Sequence, residues 1–326
     1  MPNMTIGDYL LQRLAELGVR HLFGVPGDFV LRFMTRVPEH GLELVNCCDE
    51  QGAGFAADAY ARITGLGVVC VTYGVGGLKI ANSTAQAFAE RSPVVIISGA
   101  PGIGERAQHP LIHHRIRDFD TQRKVFEQLT VASAVLDDPE TALPEIDRVL
   151  EAALRYKRPV YLELPRDRLA VKARHHHRAG SQPARSDAES LAAALDETIA
   201  RVRQATQPVV VLGEEVHRFQ LQETAVRLLR EAGLPAAATI LGKSVIDEDE
   251  PNYLGVYQGG IGREDVARFV ESSDCVLLLG VMMTDVNLGI YTASLDRQKC
   301  IHAVAEKLSV GLHVYEDVLF EDFING

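Results

Sequence analysis

Asn46-Cys47-Cys48-Asp49-Glu50-Gln51-Gly52-Ala53-Gly54-Phe55-Ala56-Ala57-Asp58-Ala59-Tyr60-Ala61-Arg62 decides how this chain is read. It follows an apolar run, Leu42 to Val45, that reads as a buried strand, and it continues as a helix to about Thr64, with Gly65 as its stop. Two glycines and five alanines follow Glu50 within a dozen positions, so another surface can approach this helix closely. Glu50 falls in the first helical turn, where the helix dipole favours a carboxylate and burial against a neutral partner would disfavour its charge. The residue is therefore either a simple first-turn charge or an acid held for a ligand.

The flanking sequence alternates strands and helices. His21 to Val25 reads as a strand, and Pro26-Gly27-Asp28 as a sharp turn in which Asp28 can cap a helix running through Met34. Val68 to Thr72 is a β-branched run ending in Tyr73-Gly74-Val75-Gly76-Gly77, glycines that can admit a ligand close to the backbone. They form neither a dinucleotide fingerprint nor a Walker loop. A helix from Ala81 to Glu90, a strand from Pro93 to Ser98, a helix from about Pro144 to Leu154 and a strand within Arg158 to Pro165 complete the unit. The pattern predicts a doubly wound parallel sheet. Ligands of such sheets bind beyond the carboxyl ends of the strands, where Asp28, Glu50 and Gly74 to Gly77 all fall. Between Pro101 and Asp118 lies a long polar loop with His109, His113 and His114, and loops of that length are usually functional or mobile.

A second α/β unit is expected from Ser186, with strands Pro208 to Leu212, Ala236 to Ile240, Cys275 to Gly280 and Lys299 to Val304. The expected division is residues 1–175, a linker at 176–185, and 186–326. His175-His176-His177 reads as solvated linker, since three consecutive histidines do not easily share one metal.

Composition narrows the function. A net charge of −11 argues against a nucleic-acid surface. No run of about twenty apolar residues is present, so no membrane span is expected. The N-terminus shows no signal peptide, and five cysteines suit a reducing cytoplasm. Adjacent Cys47 and Cys48 read as buried packing at a strand end.

Four of these segments together resemble the thiamine-diphosphate-dependent 2-oxo acid decarboxylases of the pyruvate, indolepyruvate and phenylpyruvate type. They are Phe23 to Phe29, the helix from Glu50, the Gly74 to Gly77 turn and the His113-His114 pair. The resemblance extends through Lys243 to Glu248 and Leu279 to Asp285, and so over essentially the whole chain. It implies a pyrimidine-binding domain followed by a Rossmann-like middle domain. It implies that Glu50 hydrogen-bonds the aminopyrimidine ring of thiamine diphosphate and promotes its imino tautomer. It places Pro26, Gly27, Thr72, Gly74, Val75 and Gly76 at the cofactor, and Asp28, His113 and His114 at the substrate as catalytic residues. The Arg115-Ile116-Arg117-Asp118-Phe119 continuation departs from the family's Gly-rich turn, and its arginines are candidates for an acidic substrate, a partner subunit or plain solvation.

The resemblance also implies a third domain, which holds Mg²⁺ and the diphosphate; no metal ligand is expected within this sequence. A separate diphosphate-binding subunit is the expected partner, in a hetero-oligomer built on a homodimeric pairing, with a small 2-oxo acid as substrate. A carboligase with the same cofactor, or a non-catalytic regulatory subunit, fits the same residues.

Overall fold

Val68 to Val71 and Val94 to Ile97 are near-continuous β-branched runs, as expected of parallel strands covered on both faces. In the computed structural model, which describes residues 4–173, 185–305 and 307–326, every residue of both strands is buried. The chain divides into two units, residues 1–182 and 183–326. The expected linker, apart from Arg185, and His175 to His177 lie outside the described residues.

The first unit is a six-stranded parallel sheet. Its strands are β1 (His21–Gly24), β2 (Glu43–Asn46), β3 (Gly67–Val71), β4 (Val94–Ala100), β5 (Ala132–Val135) and β6 (Val160–Pro165). They lie in the order β2-β1-β3-β4-β6-β5, with all pairs parallel. The strand before Glu50 is not buried as the apolar run suggested. β2 is an edge strand with exposed ends, because nothing pairs with its outer side among the described residues. Helices Ile6–Glu16 and Ala142–Tyr156 cover one face, where Leu10, Leu14, Ile146 and Leu150 pack on Val68, Cys70, Val95 and Ile97. Each such aliphatic side chain contributes about 1.5–3 kcal/mol on burial.

The other face takes the helix Glu50–Thr64. Its Ala53, Ala57 and Ala61 repeat every four residues and meet Val69, Val71 and Ile96. The surface that the small residues admit is thus partly the chain's own sheet. A Cβ at Gly67 would stand 2.0 Å from the carbonyl oxygen of Ala57. Asp49 caps this helix, accepting from the Gly52 N–H at 2.7 Å, and Gly65 ends it at φ 89°.

The second unit is also α/β, with a sheet of seven strands. They are β7 (Pro208–Leu212), β8 (Ala236–Thr239), β9 (Tyr253–Tyr257), β10 (Cys275–Leu279), β11 (Cys300–Val304), β12 (Lys307–Val310) and β13 (His313–Tyr315). The order is β13-β12-β11-β10-β7-β8-β9. The sheet is parallel from β11 to β9, but β12 and β13 add an antiparallel edge through two tight connections. Connections that short can only reverse the chain, since a parallel return needs a crossover of a dozen residues or so. No described helix is long and apolar enough to cross a membrane.

Candidate active site at the switch point of the first sheet

Strand order in the first unit reverses between β1, which leads outward to β2, and β3, which leads to β4. The crevice beyond the carboxyl ends of these two strands is where an open α/β sheet takes a ligand. The turn after β1 supplies Pro26, Gly27 and Asp28; the turn after β3 supplies Thr72 to Gly74, and the short helix Val75–Lys79 that follows it carries Gly76 and Gly77. Glu50 enters beside them from the first position of its helix.

Because Asp49 does the capping, the Glu50 carboxylate is not engaged by its own helix. Its side chain is 17% exposed, and Oε2 lies 3.4 Å from the Lys79 ammonium. On the Oε1 side stands Gly76, where a Cβ would come 3.2 Å from that oxygen and 2.9 Å from the Thr72 methyl. Any larger residue at position 76 would fill the space over the carboxylate. Thr72 Oγ1 is buried there with no hydrogen-bond partner among the described residues. An orphaned hydroxyl and a cradle that a side chain would close both fit a flat polar ring set down on this turn.

Gly74 has φ 73° and ψ −102°, a conformation that strains any L-residue, and a Cβ there would meet the His114 carbonyl oxygen at 2.2 Å. The glycine turn and the histidine loop are therefore in backbone contact. The loop is not wholly irregular, since Ile103–Arg106 forms a short helix. Ile112 packs on the buried trio Phe29, Tyr73 and Ala100. Arg115 donates to the Pro110 carbonyl at 2.9 Å and lies over the Phe119 ring at 4.6 Å, so it braces the loop internally.

Asp28 does not cap the helix after it. That helix is only Leu31–Met34, with Val30 at its N-cap and no side-chain cap bond. The carboxylate turns instead to His113, whose Nε2 lies 2.8 Å from Asp28 Oδ2. The His113 ring is 5.3 Å from Phe29 and meets His114 edge-on at 4.7 Å. Asp28, His113 and His114, named from the sequence, thus converge. So do Glu50, Thr72, Gly74 and Gly76 one turn away; Val75, beside them, is largely exposed. Of the two adjacent cysteines expected to be buried, Cys47 is half-buried and Cys48 exposed, because both follow an edge strand.

Sequence reasoning missed the support beneath this turn. Gln122, only 1% exposed, accepts from the Gly74 N–H at 2.7 Å and donates to Ser98 Oγ at 2.7 Å and to the Tyr161 hydroxyl at 2.8 Å. Tyr161 donates in turn to Glu163, also at 2.8 Å, and Glu163 accepts from Arg106 at 2.5 Å, at the base of the histidine loop. Burial, together with the Glu163 charge, holds the Tyr161 phenol well above its ordinary pKa, so it stays protonated as a donor. Gln122→Leu keeps the volume but strands the Gly74 N–H. We expect a loss of about 1–3 kcal/mol in chemical denaturation. An unchanged midpoint would show that the network contributes no stability.

The second unit has its own switch point, between β7 and β10. There the Glu214 carboxylate accepts from the Met282 N–H at 3.2 Å and the Asn287 amide at 3.3 Å. Burial raises its pKa. A buried acid takes the donors that a bound phosphate would need.

Comparison with known families agrees with both units. Residues 4–122 match the family described as "Thiamine pyrophosphate enzyme, N-terminal TPP binding domain", and residues 195–320 match "Thiamine pyrophosphate enzyme, central domain". The chain is 41% identical over 318 residues to an indole-3-pyruvate decarboxylase of Azospirillum brasilense, covering 97% of this chain and 58% of that protein. It is 33% identical over 331 residues to pyruvate decarboxylase 3 of Oryza sativa subsp. indica, 99% of this chain and 56% of the relative. An alpha-keto-acid decarboxylase of Mycobacterium leprae (strain TN) is 35% identical over 318 residues, 95% and 55% respectively. The chain thus spans somewhat over half the length of these relatives. By both of its domains, it belongs to the thiamine-diphosphate-dependent 2-oxo acid decarboxylase family.

Proposed function

We propose that this chain forms the pyrimidine-binding half of a 2-oxo acid decarboxylase, completed by a diphosphate-binding domain on a separate subunit that also holds Mg²⁺. The observation that carries this reading is Glu50: it is uncapped, mostly enclosed, and faces the bare Cα of Gly76. When bound, thiamine diphosphate supplies a thiazolium carbon that adds to the oxo acid and takes up the electron pair left as carbon dioxide departs. The residues of this chain do the rest. Pro26, Gly27, Thr72 and the Gly74 to Gly76 turn seat the pyrimidine, the Thr72 hydroxyl gaining the partner it lacks. Glu50 holds and returns a proton at Oε1, with Lys79 steadying Oε2. Asp28 orients His113 through Nε2, and His113 and His114 move protons to and from the substrate carbon. Phe29 and Tyr73 wall the site on the apolar side.

Calorimetric titration with thiamine diphosphate and Mg²⁺ tests the division of labour. The 326-residue chain alone is expected to bind weakly or not at all, since the diphosphate charge needs a counterion. Co-purification with its partner should restore binding and release of carbon dioxide from a 2-oxo acid. Micromolar binding by the chain alone would contradict the two-subunit reading.

A further inference from the structure

Asp28, His113 and His114 reach one point from two separate segments, the turn after β1 and the histidine loop. One donor atom from each lies within 4.8 Å of the other two. His114 Nδ1 is buried and has no hydrogen-bond partner among the described residues. Two imidazoles and one carboxylate form a mixed nitrogen–oxygen set that suits a borderline transition-metal ion, whereas Mg²⁺ and Ca²⁺ favour oxygen throughout. Zinc bonds of about 2.0–2.2 Å place tetrahedral donors roughly 3.3 Å apart, so the three groups need to close up by at most about 1.5 Å. They have room to do so: the side chains of His113 and Asp28 are 60% and 45% exposed. Arg166, a cation whose charge is felt at Asp28, is already engaged by Glu105.

We propose that Asp28, His113 and His114 form a three-ligand site for a first-row transition-metal ion such as Zn²⁺. The ion takes the place of the proton between Asp28 and His113, with His113 ligating through Nε2 once its proton sits on Nδ1. Water fills the remaining coordination. Bound there, the ion joins the turn after β1 to the histidine loop and withdraws both imidazoles from proton transfer, so it acts as an inhibitor. Binding itself requires only this chain and does not depend on the catalytic reading.

The test uses tag-free chain in which His175, His176 and His177 are all replaced by Asn, because each of these imidazoles, though ill placed to share one ion, could hold one singly and blur the stoichiometry. Zn²⁺ is titrated by calorimetry, and Co²⁺ by its visible absorption. The expected result is one ion per chain and a four-coordinate cobalt spectrum. Asp28→Asn, His113→Gln and His114→Gln should each weaken binding by at least about tenfold. His109→Gln, in the same loop but outside the cluster, should not. Circular dichroism confirms that each variant folds. Amide exchange in the parent protein gives a reading free of substitutions: Zn²⁺ should slow exchange at Phe29 and at His113 to Arg115. Zinc affinity unchanged in all three ligand variants, equal competition by Mg²⁺, or no slowing of exchange would overturn the proposal.

Discussion

Glu50→Gln should lower the turnover of the completed enzyme by about 10²-fold or more while leaving the fold of this chain intact. The amide keeps the carboxylate's shape but cannot hold and return a proton at Oε1. Structural cost should be small for two reasons. Asp49 supplies the helix cap, so the helix loses no capping bond. Lys79 loses one ion-pair partner, yet its side chain is 44% exposed and water can replace it. Steady-state kinetics on the co-purified complex, with a denaturation curve of the variant chain, separates the two effects. A near-parental rate would reduce Glu50 to a charge at a helix start. A collapsed denaturation midpoint would make it a structural residue.

Gly74→Ala is expected to damage both halves of the site at once. Its φ of 73° with ψ of −102° would strain alanine by about 1–3 kcal/mol on backbone grounds alone. The new methyl would also fall 2.2 Å from the His114 carbonyl oxygen, an atom that belongs to backbone and cannot rotate aside. The loop must therefore retreat, carrying His114 away from the turn and breaking the 2.8 Å approach of His113 to Asp28. Chemical denaturation should show the stability loss, and histidine side-chain resonances should shift at His113 and His114. A parental midpoint with unmoved resonances would mean that turn and loop are not coupled in solution.

Much of the first unit was legible because its signals are local. The helix Glu50–Thr64 carries its own cap and stop in Asp49 and Gly65; its end at Thr64 and the place of Glu50 in its first turn are those read from the sequence. β1, β3, β4 and β6 declare themselves as apolar runs that end in Gly, Pro or Tyr-Gly. β5 did not, since Ala132 to Val135 is half-buried and rich in small residues. β9 and the β12–β13 hairpin were missed as well: β9 is mostly half-buried, and the hairpin strands are only four and three residues long and carry polar residues. Gln122 carries no local signal of its role; only the tertiary fold brings Gly74, Ser98 and Tyr161 around it. Asp28 illustrates the same limit. A local cap was the natural reading after Pro-Gly, but a histidine far along the chain is its partner.

The buried acid at the second switch point bears on how this unit can change. Deleting Glu214 alone would not open a nucleotide cleft: it would orphan the Met282 N–H that now points at it and remove one of the contacts of the Asn287 amide, which keeps its bonds to Met282 and Leu241, at about 1–3 kcal/mol for an unsatisfied group. Acquiring a phosphate ligand here would require the acid to leave and the anion to arrive together, with the intermediate sequence less stable than either end. Two such states are separated by a valley in sequence space, and single substitutions would be selected back. The prediction for laboratory evolution is that nucleotide affinity in this unit will emerge from paired changes at Glu214 and Asn287, and not from either position first.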